Sequence, residues 1–132
     1  MKRLRQTIHG PEKGNCFATC VSMITDIPIE DVPIIVWNDE QWWPNVCEFL
    51  KSKGWASGII KQTAFDQSIA SVYALVDMHI PLIVTGKSPR YDCNHCVVQV
   101  GDKVYDPHES NSGVLEPYED IIFLIPSGAF KT

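Results

Sequence analysis

A chain of 132 residues, 45% hydrophobic and 20% charged, is long enough to bury a core without disulfide or metal staples and predicts one domain spanning 1–132. Eleven Lys and Arg against sixteen Asp and Glu leave a formal net charge of −5, and only the tip Met1–Arg5 is basic, which argues against a nucleic-acid binder. The N-terminus lacks the apolar core of a signal peptide and no apolar run approaches membrane-spanning length. The expectation is therefore a soluble, cytoplasmic protein with no membrane partner. Cys16, Cys20, Cys47, Cys93 and Cys96 make an odd count, which suits reduced thiols better than a disulfide framework.

Residues 1–9 read as an extended entry, followed by a turn-rich loop over 9–14. Asn15 is a good N-cap residue, and Phe17, Cys20, Val21 and Ile24 recur at the spacing of a buried helical stripe, so a helix is predicted from Cys16 to about Thr25. Pro28 stops it, and a short turn is expected over 29–32. A second helix is predicted over about 40–53, with Pro44 tolerated near its first turn and Gly54 closing it. Residues 55–62 and 81–85 read as strands, 65–78 is ambiguous with Ile69, Val72, Tyr73 and Val76 at helical spacing, and a last strand lies near 120–125. Helices lead and an antiparallel sheet follows, an α+β arrangement.

The segment Val97-Val98-Gln99-Val100, the pair Gly101-Asp102 and Lys103-Val104-Tyr105 form a two-residue hairpin signal. That turn sets His95 opposite His108 and Asp106 opposite Val97. With side chains alternating, His95, Val97, Gln99, Val104, Asp106 and His108 share a face, and His95 and Asp106 become diagonal neighbours. Asp102, at the turn tip, lies roughly 20 Å along the strand from His95 and cannot orient its ring. At the other end of the chain Cys16 opens the first helix, where unpaired N–H groups and the positive end of the dipole favour a thiolate. A thiol, an imidazole and a carboxylate are the parts of a nucleophilic acyl-transfer site. Cys16 is the expected nucleophile, His95 the base and Asp106 the group that fixes the ring's tautomer. The Cys16 backbone N–H and the Gln6 side chain are the expected oxyanion donors. Cys20, one turn deeper on the apolar stripe, is assigned to the core.

The order Gln6, Cys16, His95, Asp106 resembles the papain-like cysteine peptidase superfamily, and most of all the peptidase domains of bacteriocin-processing ABC exporters and their small bacterial or phage-encoded relatives. The residues that carry the likeness are Gln6, Cys16-Phe17-Ala18-Thr19-Cys20-Val21-Ser22-Met23-Ile24, His95-Cys96-Val97-Val98 and Asp106-Pro107. A pattern of small uncharacterised proteins with Gly-Asn-Cys-Phe and Asp-Pro-His-x-Ser is also similar, matched by Gly14–Phe17 and Asp106–Ser110. Residues 30–90 match only in element order, and Gln6 stands ten residues before Cys16, a longer gap than the superfamily usually shows. The resemblance implies a papain-like fold with N-terminal helices on a C-terminal sheet. It also implies hydrolysis of a peptide or isopeptide bond through a thioester, with no cofactor and a protein or peptide substrate.

Three rival readings remain open on the residues alone. An acyltransferase, transglutaminase-like enzyme or amidase would use the same Cys16, His95 and Asp106. A zinc-stabilised binding module is suggested by the Cys-x-x-Cys of Cys93 and Cys96, although Cys96 is expected to point away from His95 and Cys16 and Cys20 have helical spacing. A catalytically dead binding domain is the third. Trp37, Trp42, Trp43 and Trp55 are candidates for a substrate groove, with only one of the adjacent pair Trp42 and Trp43 facing inward. Lys87, Ser88 and Arg90 form a polar loop ahead of His95 that suggests a gate.

Overall fold

Small residues decide how the first helix packs. In the computed structural model, which describes residues 1–9, 14–35, 39–61 and 79–130, α1 runs from Cys16 to Thr25. Every residue of α1 from Cys16 to Met23 is buried, Ala18, Thr19 and Ser22 included, so the helix is covered all round rather than along one stripe. The Thr19 hydroxyl caps its own turn by donating to the Asn15 carbonyl at 2.8 Å. Asp26, in the left-handed region at φ 64°, ends the helix by donating its N–H to the Ser22 carbonyl at 2.9 Å, two residues before Pro28. A 3₁₀ turn over Ile29–Asp31 follows.

The second helix, α2, spans Trp42–Ser52 and buries only Val46 and Leu50, one turn apart. Gly54 closes it at φ 85°. Among the described residues the strands are β1 (Trp55–Lys61), β2 (Leu82–Lys87), β3 (Asn94–Val100), β4 (Lys103–Tyr105) and β5 (Leu115–Pro126). They form one antiparallel sheet in the order β1-β5-β2-β3-β4. The α+β class predicted from sequence is the class observed: among the described residues, two helices pack on a five-stranded antiparallel sheet. The loop at 10–13, Trp37 and the ambiguous segment 65–78 lie outside the described residues.

β5 is twelve residues long, twice the strand the apolar pattern predicts. Its second half carries the pattern, with Ile121 and Ile122 sealed between Ile59 and Ile60 on β1 and Ile83 and Val84 on β2. Its first three residues, Leu115-Glu116-Pro117, are exposed, and past Thr85↔Asp120 a register shift leaves Lys87↔Leu115 as the pairing with β2. That extension is set by pairing, not by periodicity. Alternation along the strands divides the apolar residues into two sets. Ile83, Cys96, Val98, Ile122 and Leu124 pack with α1 and α2, whereas Leu82, Val84, Val97 and Ile121 cluster with Ile60, Tyr118 and Phe123. Each such fully buried side chain contributes about 1.5–3 kcal/mol of transfer free energy. At Gly58 a Cβ would sit 2.6 Å from the Phe123 ring, so any larger residue there requires the ring to shift.

Candidate active site

β3 and β4 pair with Val98↔Tyr105, Gln99↔Val104 and Val100↔Lys103, the register a Gly101-Asp102 turn dictates, and Gly101 takes φ 61° as primed hairpin turns require. Just past β4 the chain brings Asp106 back to His95. Asp106 Oδ1 lies 2.8 Å from His95 Nε2, and both residues are buried. The carboxylate does more than the expected orienting role. Oδ1 also accepts the His108 N–H at 2.9 Å and Oδ2 accepts the Gly113 N–H at 2.8 Å, so Asp106 organises the whole 106–113 loop. Burial, the largest influence, raises its pKa. His95 and the two backbone donors outweigh that and hold it below the ordinary carboxylate value.

An ionised carboxylate only accepts, so His95 Nε2 carries the proton and the neutral ring presents Nδ1 as its lone pair. Cys16 is the ring's other polar neighbour. Burial pushes the imidazole pKa down, but Asp106 and Cys16 prevail and lift it to about 8. Cys16, His95 and Asp106 are thus brought together from α1, the first residues of β3 and the loop after β4, with His95 hydrogen-bonded to Asp106.

The thiol's environment departs from the expectation in two ways. Cys96, expected to point away, does lie on the opposite strand face from His95, but that face is the one α1 covers. Its Sγ lies 3.5 Å from Cys16 Sγ, and Cys20 Sγ lies 3.7 Å from Cys96 Sγ. The Cys96 contact and burial together push the Cys16 thiol well above its ordinary pKa, against the pull of His95. The helix N-terminus does not leave a resting thiolate here. Cys16 rests protonated, and its proton can pass to His95 only when the ring is neutral, a form that grows as pH rises through about 8. Cys20 is in the core, as expected, fully buried.

Asn15 is not a side-chain cap of α1. Its Oδ1 accepts the N–H groups of Thr7 and Ile8 at 3.1 and 3.0 Å, and its Nδ2 donates to the Thr7 hydroxyl, which straps the N-terminal segment to the start of the helix. Gln6 is held on both sides. Its backbone N–H donates to the Pro107 carbonyl at 2.9 Å, and its side-chain Nε2 donates to the Ile8 carbonyl, the acceptor that also takes the Asn15 N–H. The Gln6 amide thus shares an acceptor with Asn15, the residue before Cys16, and keeps a second N–H, while its buried Oε1 has no partner.

A cleft of about 350 Å³ opens beside this junction, lined by Thr7, Ile8, Asn15, Ile29, Val32 and Ile34, with Glu30 as its charged residue. The described tryptophans, Trp42, Trp43 and Trp55, do not line it. Trp42 and Trp43 meet edge to face at 5.7 Å, both half-buried against the core, which corrects the expectation that only one turns inward. Trp42 lines a separate hollow of about 100 Å³ with Ile35 and Val46. The loop ahead of His95 is more ordered than a solvated gate. The buried Ser88 hydroxyl accepts the N–H groups of Arg90 and Tyr91, and the Arg90 guanidinium donates to Ser110 at 2.9 Å across the site's far wall.

Among the described residues, the group whose potential metal-ligating atoms lie within 4.8 Å of one another is His9, His108 and Glu109. His108 Nδ1 already accepts the Ser110 N–H at 3.0 Å, so its neutral ring keeps a proton on Nε2 and offers no ready lone pair. The Cys93 and Cys96 pair is not part of that group. No helix among the described residues is long and apolar enough to cross a membrane. No protein-family model, curated protein or solved structure matches this chain.

Proposed function

We propose that the protein is a thiol-dependent acyl hydrolase of papain-like design, cleaving a peptide or isopeptide bond through Cys16, His95 and Asp106. The observation that carries this reading is the buried His95–Asp106 pair at 2.8 Å, with the Cys16 thiol at the first turn of a helix as the ring's other polar neighbour. In the proposed cycle the substrate carbonyl approaches the N-terminus of α1 from the cleft beside Ile8 and Val32. Cys16 Sγ attacks the carbonyl carbon as His95 Nδ1 removes the thiol proton, and the imidazolium is stabilised by Asp106. The oxyanion faces the backbone N–H of Cys16 and the uncommitted N–H of Gln6. His95 then returns its proton to the leaving amine, a thioester remains on Cys16, and water assisted by His95 releases the acid.

Transfer of the acyl group to an amine uses the same thioester, so the two outcomes differ only in the final acceptor. The test is labelling of the native protein with a peptide-like thiol-reactive probe, followed by mass mapping. Modification at Cys16, lost when His95 is replaced by alanine, supports the reading. Preferential modification of Cys47 or Cys93 removes it. Release of leaving group with and without added amine separates hydrolysis from transfer.

A further inference from the structure

Two thiols beside Cys16 have no part in that cycle. Cys20 and Cys96 are fully buried, and Cys96 stands between the other two sulfurs, its Sγ 3.5 Å from that of Cys16 and 3.7 Å from that of Cys20. An ordinary buried cysteine packs against hydrocarbon. Here a second thiol on β3 is aimed at the sulfur that opens α1, and α1 and β3 pack directly against each other. A disulfide needs the sulfurs at about 2.05 Å, so closure asks for a movement of about 1.5 Å, within reach of a side-chain rotation at the end of a helix.

We propose that Cys16 and Cys96 form an oxidisable pair, in which a hydroperoxide converts the reactive thiol into a reversible Cys16–Cys96 disulfide. The chemistry runs in two steps. The Cys16 sulfur attacks the terminal oxygen of the hydroperoxide as its proton passes to His95. The O–O bond breaks, the leaving oxygen takes a proton and departs as water or an alcohol, and Cys16 becomes a sulfenic acid. The Cys96 thiol then attacks the sulfenic sulfur, the S–O bond breaks and a second water leaves. Two thiols have lost two electrons and two protons, and the hydroperoxide has taken them up. Cys20, in contact with Cys96 alone of the pair, has no route to the first step. The consequence is protective: the sulfenic acid is captured before it is oxidised further, and a dithiol reductant restores the nucleophile. This proposal rests on the reading of Cys16 as the reactive thiol.

The experiment treats the full reduced chain with hydrogen peroxide and follows intact mass and peptide maps, with dithiothreitol reversal. The expected result is a mass lower by two hydrogens, a single cross-linked peptide pair joining Cys16 to Cys96, and full return on reduction. In Cys96→Ala and Cys96→Ser the cross-link disappears, and Cys16 instead traps dimedone as sulfenic acid and proceeds irreversibly to sulfinic acid. A cross-link between Cys20 and Cys96, or sulfinic acid at Cys16 in the unaltered chain with no cross-link, overturns the proposal. Because these readouts are masses, they separate the two readings. Normal iodoacetamide labelling at Cys16 without the cross-link sinks the oxidisable pair alone, whereas a Cys16 inert to both iodoacetamide and peroxide sinks the enzyme reading with it.

Discussion

The two helices cover the same face of the sheet under opposite conditions. α1 buries eight of its ten residues, whereas α2 buries only Val46 and Leu50 and leaves most of its surface to water. The helix that carries the proposed nucleophile is thus the more closely packed of the two. A nucleophile must hold its position relative to a base to within a fraction of an ångström, and dense packing on every side of Cys16 supplies that restraint. α2 contributes area through a narrow stripe and is free to vary elsewhere.

The sharpest way to break this contrast is to cut each helix at its key residue. Cys16→Ala should lower turnover by at least ~10³-fold and abolish probe labelling. Leu50→Ala should instead cost about 2–5 kcal/mol of stability, read by denaturant unfolding, while Cys16 labelling persists below the transition. Labelling lost in Leu50→Ala at temperatures where the protein remains folded would show that α2 shapes the site after all.

Asp106→Asn comes next. We expect a turnover loss of ~10³–10⁴-fold through the wrong imidazole tautomer. The fold should suffer too, by about 1–3 kcal/mol, because an amide nitrogen must then face either the His95 and His108 donors or the Gly113 N–H. Steady-state kinetics and a melt on the same sample separate the two effects; a variant that loses neither removes Asp106 from both roles.

His95→Ala should move the midpoint of Cys16 alkylation to higher pH, since His95 is the group that pulls that thiol down. Replacing Cys96 by alanine should move it the opposite way, as the Cys96 contact is the leading cause of the rise. Alkylation rates against pH for the three proteins give the order directly.

The stability profile with pH follows from the same pair. The His95 pKa rises from 6.5 to about 8 on folding, so its contribution is complete below about 6.5 and fades as pH climbs through about 8. Asp106 is held below its ordinary 3.8, so its contribution is complete above that value and fades as pH falls through the lowered pKa. Melting temperature against pH should therefore be flattest between about 3.8 and 6.5, and replacing His95 should remove the decline between about 6.5 and 8, leaving the later one from the buried thiols. The smallest effect belongs to the outer face of α2, where Glu48→Gln should change stability by no more than about 0.5 kcal/mol.

Local chemistry was enough for part of this protein. The bounds of α1, the Gly54 stop, the strand pattern around Ile121 and the β3–β4 register all follow from spacings within a few residues. Because a two-residue turn forces its register, His95 and Asp106 could be paired before any coordinates existed. Tertiary structure decided the rest. Asn15 looks like a cap from its neighbours, yet its amide is taken by Thr7 and Ile8, because the extended N-terminal segment docks there. β5 outgrows its apolar pattern because β2 offers it an edge. Cys96 faces Cys16 because α1 happens to lie over its side of the sheet, a choice made by burial of apolar area, which has no direction along the chain. Spacing names which groups share a strand face; only the docking of helix on sheet settles what each face meets.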